Sequence, residues 1–349
     1  MPELMKALIV EQNGDTSVKE IPLPAIKEYE ALVKMHASAL CGTDMKILHN
    51  TLKGFTDYPT ILGHEGIGEV VSVGEKVRNF KVGDKVVLPY ILDKIGDYYS
   101  TWGALAEYAT VGDTDAMVED GLEMDEVTFY EFNYAQRKIP SDMDSVSATM
   151  IITFREVYST IKRLGFEKGQ SIVVYGAGPV GLAFIQLAKL MGMEPIIGVD
   201  ITDEKTAQAK KIGADHVFNS RKTDLNTELK NMFPCGVDVL LDAAGVPALI
   251  NQNLKLVKNF GKVCIYGVTP VNHTEIDWQD APFSFDLKFA QWPSKKEEAA
   301  VHDEIIEFME SGKLDGMDYI SDVYDFKDVQ DAIELFKSGE NNKKIAVRF

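Results

Sequence analysis

The sequence predicts an α/β protein of two domains, a β-rich part followed by a doubly wound parallel sheet. Three observations point there. The length of 349 residues, at roughly 150 per domain, makes two domains or three. Residues 1–110 consist of short apolar runs separated by glycine, proline and charge, as in a small barrel or folded sheet. Near residue 154 the pattern changes to alternating strands and helices, which βαβ units require.

In the first part, residues 7–10, 31–35, 68–73 and 85–88 read as strands. Residues 113–131 carry eight acidic side chains and no lysine or arginine. They lack the ligand spacing of a calcium loop, so a solvated excursion is expected rather than a metal loop. Residues 171–175 are a continuous apolar run of the kind buried on both faces of a parallel sheet. A helix follows over 182–191 and stops at Gly192, which suits a C-terminal cap. Further strands are expected at 195–200, 237–242 and 262–266, and amphipathic helices at 302–311 and 325–338. The last sixty residues are expected to pack back on the first part.

Composition narrows the function. Apolar residues make up 45% and charged residues 26%, an ordinary globular balance. No run approaches the ~20 apolar residues that cross a bilayer. The first six residues lack the basic-then-apolar order of a secretory signal, so a cytoplasmic protein is expected. A formal charge of −18 repels phosphate backbones and anionic membranes, which argues against nucleic acid and membrane as partners. Three cysteines, Cys41, Cys235 and Cys264, are too few for a disulfide framework or a four-cysteine structural zinc.

Gly176-Ala177-Gly178-Pro179-Val180-Gly181 follows a strand and opens a helix. Gly176 allows the tight turn, Gly178 lets backbone approach a pyrophosphate, and Gly181 lets helix pack on strand. The helix N-terminus then offers unpaired N–H groups to phosphate. Asp200, 24 residues after Gly176, ends the next strand, where a carboxylate grips ribose hydroxyls and repels a 2′-phosphate. Ile201 adds no compensating charge, so NAD is favoured over NADP. Cys41-Gly42-Thr43-Asp44 and, twenty-two residues on, Gly63-His64-Glu65-Gly66 supply a thiolate, an imidazole and a carboxylate. Those donors suit zinc, with a position left for substrate.

Residues 63–77 fit the pattern G-H-E-x2-G-x5-G-x2-V throughout. With CGTD before it and the glycine fingerprint after it, the chain resembles the zinc-dependent medium-chain dehydrogenase/reductases, on their sorbitol, polyol and sugar dehydrogenase branch. The match spans most of the chain apart from about 89–145. The resemblance implies a GroES-like catalytic domain over 1–153, completed by 289–349, and a Rossmann NAD-binding domain over 154–288. It implies one catalytic zinc held by Cys41, His64 and Glu65; the glutamate is a ligand in polyol enzymes and a near neighbour of the metal in alcohol dehydrogenases. Thr43 matches the hydroxyl residue that takes the alcohol proton, and Asp44 would orient a ligand histidine. Along the cofactor the resemblance adds Pro179, Val180, Ala244, Gly267 and Val268, Lys205 at the adenosine ribose, and Lys343 near the pyrophosphate. It also implies a homodimer or homotetramer.

Three features depart from the family. The lobe that commonly carries four cysteines is short and cysteine-free over 89–99, so no structural zinc is expected, and the acidic stretch replaces part of that lobe or meets a subunit. Where a further cysteine or glutamate often approaches the metal stand Ile151 and Ile152, which cannot ligate. Glu156, about one helical turn on, is a substitute, or simply a helix-surface carboxylate. Five residues after the cysteine, where histidine often ends the proton relay, stands Lys46. It relays protons if its pKa is depressed, holds a phosphate or carboxylate of the substrate, or is solvated; His49 is an alternative relay.

These readings converge on an enzyme, an NAD-dependent alcohol or polyol dehydrogenase. It would move hydride between NAD and a secondary hydroxyl or ketone of a polyol, sugar or sugar phosphate. Two alternatives stand. A zinc-free NAD(P)H enone or quinone reductase of the same superfamily would lack Cys41, His64 and Glu65. A non-catalytic nucleotide-binding protein would explain Ile151 and Ile152.

Overall fold

Period-two alternation builds the first part of the chain. The computed structural model describes residues 2–122, 133–268, 273–341 and 343–349. In strand Leu4–Val10, Met5, Ala7 and Ile9 enter one apolar cluster with Val33, Met35, Val70 and Val86. Leu8 and Val10 enter another with Leu40, Ile47, Leu62, Ile345 and Val347. Side chains of a strand point alternately to opposite faces, so one strand serves two cores.

Two sheets carry these clusters. One runs Thr16–Pro22, Leu4–Val10, Thr60–Ile61, Tyr99–Ser100. The other runs Ile320–Asp325, Lys344–Arg348, Glu30–Ala39, Glu65–Val73, Lys85–Val87, Arg137–Lys138, with Tyr108–Gly112 also paired to Glu30–Ala39. The strand Lys344–Arg348 lies antiparallel to Glu30–Ala39, placing Ala346 opposite Ala39. Helix Val329–Ser338 buries Val329, Ala332, Ile333 and Phe336, an i, i+3, i+4, i+7 stripe packed on the second cluster. It ends at Gly339, whose φ of 67° is the left-handed cap. The expected helix 325–338 therefore starts later, because Ile320–Asp325 is a strand and Phe326–Asp328 a 3-10 turn. The helix expected at 302–311 runs His302–Glu310.

The start of the acidic stretch is not a solvated excursion. Helix Thr114–Glu119 is capped by Asp113, which accepts from Ala116 N at 3.1 Å and also from Arg78 N and Asn79 N at 2.7 and 2.8 Å. Arg78 in turn reaches Glu119 and Asp120. Residues 123–131 of that stretch lie outside the described residues.

The second unit is a six-stranded sheet in the order His216–Asn219, Ile196–Asp200, Ile172–Tyr175, Val237–Asp242, Val257–Ile265, Asp286–Phe289. All neighbours are parallel. The order reverses between Ile172–Tyr175 and Val237–Asp242, the switch point of a doubly wound sheet, where ligands bind outside the carboxyl ends of strands. Helix Pro179–Leu190 follows the first strand and gives way at Gly192, φ 79°. The chain divides into Met1–Ile152 with Lys295–Phe349, and Thr153–Ser294. The second unit ends at Ser294, past the edge strand Asp286–Phe289, where the resemblance implies 288. Among the described residues no helix is long and apolar enough to cross a membrane.

Candidate active site: a metal trio and a nucleotide turn

Cys41 sits where strand Glu30–Ala39 ends and helix Gly42–Leu48 begins, as the extended N-cap residue. Asp44, fully buried, turns one oxygen back to Cys41 N at 2.8 Å, closing a capping box. Its other oxygen lies 3.3 Å from His64 Nδ1. One carboxylate thus anchors the backbone of the cysteine and lies beside the ring of the histidine. His64 follows Gly63, whose φ of 98° and tight contacts with Ala104 and Leu105 leave no room for a side chain. Burial lowers the imidazole's affinity for a proton, but the Asp44 carboxylate and the Cys41 sulfur outweigh it and hold its pKa well above the ordinary value.

Glu65 opens strand Glu65–Val73, opposite Ala39. Its two oxygens lie 2.6 and 2.5 Å from Lys344 Nζ, and both side chains are buried. The ligand atoms of Cys41, His64 and Glu65 all lie within 4.8 Å of one another, and among the described residues no other three His, Cys, Asp or Glu gather so. That separation is close to the span of two bonds of roughly 2.0–2.3 Å to a shared ion. Sulfur, nitrogen and oxygen donors with a carboxylate behind the imidazole fit zinc.

Other expected residues fall differently. Thr43 and Lys46 are half-buried on helix Gly42–Leu48. Burial depresses the Lys46 ammonium while Cys41 pulls the other way, and among the described residues Lys46 makes no ion pair. His49 is an exposed C-cap of that helix. Ile151 and Ile152 are buried, and Glu156 lies on helix Met150–Leu164. Lys343 precedes the last strand, half-buried, its carbonyl accepting from Asn341; Lys344 is the lysine that reaches the trio. Sequence reading missed Lys344, although a charge opening the apolar run Ile345-Ala346-Val347 needs a buried partner. It also missed Trp102, whose ring meets His64 edge to face at 5.2 Å.

In the second unit the glycine fingerprint forms one crest. Gly176 has φ 98°, Gly178 caps helix Pro179–Leu190, and Pro179 occupies the first helical turn with Val180 beside it. A Cβ on Gly181 would lie 1.8 Å from the Gly176 carbonyl, so the helix rests directly on the turn. Asp200 accepts from Ala177 N at 2.8 Å, Ile201 N at 2.7 Å and Thr202 N at 3.3 Å, joining this turn to the next strand. Lys205 lies in the first turn of helix Asp203–Ile212. Ala244 packs beside Gly176, and Gly245 beside Gly267 and Val268. Asp242 holds that second turn by accepting from the amides of Ala244, Gly245 and Val246 at 2.8, 2.8 and 2.9 Å.

Residues 27–119 match the family described as alcohol dehydrogenase GroES-like domain, and residues 179–290 that described as zinc-binding dehydrogenase. The chain is 30% identical over 340 residues to sorbitol dehydrogenase of Bacillus subtilis, covering 96% of this chain and 94% of that one. It is 30% identical over 273 residues to an alcohol dehydrogenase of Geobacillus stearothermophilus, covering 76% and 77%. The fold is shared with benzyl alcohol dehydrogenase from Acinetobacter calcoaceticus, at a TM-score of 0.83 and 21% identity over 100% of both chains. The chain belongs to the zinc-type medium-chain alcohol and polyol dehydrogenase family.

Proposed function

We propose that this protein is a zinc- and NAD-dependent oxidoreductase acting on a secondary hydroxyl or ketone of a polyol, sugar or sugar phosphate. The observation that carries the reading is the convergence of Cys41, His64 and Glu65 within 4.8 Å, ordered from behind by Asp44 and Lys344. When bound, zinc supplies Lewis acidity to a substrate oxygen and NAD supplies the hydride acceptor.

The chain's own residues do the rest. Asp44 holds the His64 ring by Nδ1, which leaves Nε2 for the metal. The Lys344 ammonium lies against both Glu65 oxygens in a buried place and holds the carboxylate in position. Thr43 Oγ1 takes the substrate proton and passes it outward, with Lys46 or His49 as the onward group. Lys46, half-buried and without an acidic partner among the described residues, alternatively receives a phosphate or carboxylate of the substrate. On the nucleotide side, the turn at Gly176–Gly181 presents amides to pyrophosphate, Lys205 flanks the adenosine ribose, and Lys343 is the candidate cation for the pyrophosphate. The Asp200 carboxylate, with the exposed Ile201 beside it, disfavours a 2′-phosphate and so favours NAD.

The reading includes a homo-oligomer in the cytoplasm. Support for self-association comes from the edge strand Asp286–Phe289, around which Phe260 and Phe289 are 77% and 65% exposed. The test is metal content on protein purified without chelator, alongside NAD and NADP reduction over a panel of polyols and their phosphates. About one zinc per chain, with activity lost in Cys41→Ser, is the expected result. Zinc absent even after it is added back would overturn the mechanism and favour the zinc-free reductase.

A further inference from the structure

Trp102 touches a residue of the metal trio from outside it, and the backbone bends unfavourably to bring it there. Its φ is 71°, and that of Gly103 after it is 74°. A bulky side chain in the left-handed region is an outlier, and such strain persists only where the surroundings enforce it. They do so here. Thr101 N donates to the Ile61 carbonyl at 2.9 Å, Ala104 N to that of Gly63 at 2.8 Å, and Leu105 N to that of Leu62 at 2.9 Å. Ile91 N closes on the Trp102 carbonyl itself at 2.7 Å. The two left-handed residues form a kink pinned on both sides to 61–63, the segment that leads into His64. A Cβ on Gly103 would lie 2.8 Å from Ile91 Cβ and from Ser100 Oγ, so the tryptophan cannot trade places with the glycine.

What the kink produces is a position for the indole. It lies edge to face with the His64 ring, centroids 5.2 Å apart at 62°. Neither ring is sealed in the core: the His64 side chain keeps 14% of its exposure and Trp102 is half-buried. Phe55 and Tyr58, paired at 5.0 Å, pack with Trp102, Met45 and Leu52 on the same apolar cluster. Trp102 is thus the aromatic edge of that cluster that reaches the trio.

We propose that Trp102 is a specificity-determining residue, the wall beside the metal against which the carbon chain of the substrate lies. This rests on the zinc dehydrogenase reading above. A flat aromatic face receives the C–H side of a polyol or sugar and leaves its hydroxyls to polar partners. The same ring occupies the space that a branched or aromatic substituent next to the reacting carbon would need.

The test compares wild type, Trp102→Phe and Trp102→Ala on an open-chain polyol, a small secondary alcohol and 1-phenylethanol. Zinc content, melting temperature and KM for NAD are followed in parallel. Trp102→Ala should shift kcat/KM in favour of 1-phenylethanol over the polyol by about tenfold or more, with zinc retained and the cofactor KM unchanged. Trp102→Phe should fall between. A second readout needs no turnover. The chain has three tryptophans, so Trp278→Phe/Trp292→Phe leaves Trp102 as the sole indole, and its emission in zinc-loaded protein should change when polyol is added. Equal losses across the whole panel, or emission indifferent to polyol, would reduce Trp102 to a packing residue and overturn the proposal. A wild-type protein that holds no zinc and oxidises no member of the panel would refute the parent reading, and this one with it.

Discussion

Lys344→Met should be a severe change in the first unit although Lys344 is not one of the trio. Lys344 Nζ lies 2.6 and 2.5 Å from the Glu65 oxygens, and the two side chains keep 4% and 2% of their exposure. Methionine preserves the aliphatic stem and removes the ammonium, so the carboxylate stays buried without its cation. Breaking a buried pair from one side costs roughly 3–5 kcal/mol. At roughly 2–4 °C per kcal/mol for a unit of this size, metal-free protein should melt roughly 6–20 °C lower. Zinc alters the sum, because a cation held by Glu65 with Cys41 and His64 gives the carboxylate a new counter-charge. The loss should therefore be clearly smaller in zinc-loaded protein. Glu65→Gln in the same chain removes the stranded charge, so Glu65→Gln/Lys344→Met should regain part of the loss, with a coupling of roughly 0.5–3 kcal/mol. Scanning calorimetry on the four members of this cycle, with and without zinc, reads every term. A loss below about 1 kcal/mol, the level of an exposed ion pair, or strict additivity in the double variant, would refute the reasoning.

Three further outcomes are expected. Gly181→Ala forces its Cβ to within 1.8 Å of the Gly176 carbonyl; it should cost roughly 1–3 kcal/mol or more and abolish NAD binding in titration calorimetry while zinc content stays unchanged. Thr43→Val should lower kcat by about a hundredfold or more with zinc retained, and an unchanged kcat in stopped-flow would remove Thr43 from the proton path. The third concerns pH. His64 has its pKa raised in the folded, metal-free protein, since Asp44 and Cys41 overcome the effect of burial. Its imidazolium therefore contributes stability that is complete below the unfolded value of about 6.5 and is lost as pH rises through the raised folded value. Zinc requires the neutral ring and the thiolate, so zinc affinity should move the opposite way and climb with pH. Titration in two buffers of different ionisation enthalpy counts the protons released, and a count of zero would contradict the scheme.

The elements legible in the sequence are those whose cause is local. The buried run at Ile172–Tyr175, the glycines of the turn that follows it and the stripe on Val329–Ser338 each carry their pattern within a few residues. Cys41 and His64 were legible for a related reason: their motifs include the capping Asp44 and the tight Gly63 that place them. Lys344 was not, because its meaning lies in a partner 279 positions earlier, and the neighbouring Lys343 offers the same chemistry to a reader of sequence. Trp102 was hidden for another reason. Nothing in its neighbours announces a left-handed φ, which arises from hydrogen bonds to 61–63 and 91. The acidic helix was misjudged because acidity suggests solvent, whereas the buried Asp113 carboxylate gathers the amides of Arg78, Asn79 and Ala116.

The last strand of the first unit also sets a schedule. A ribosome adding about 5–20 residues per second needs roughly 14–56 s to travel from Glu65 to Lys344. During that interval the three donors have been made, while the lysine that pairs with Glu65 and the strand that pairs with Glu30–Ala39 have yet to be. Thr153–Ser294 is contiguous in sequence and is synthesised whole within the same interval. Birth order thus runs opposite to reading order: the nucleotide unit is complete before the metal unit that begins the chain. Until residues 344–348 are made, Glu65 lacks both the strand and the cation that hold it in place.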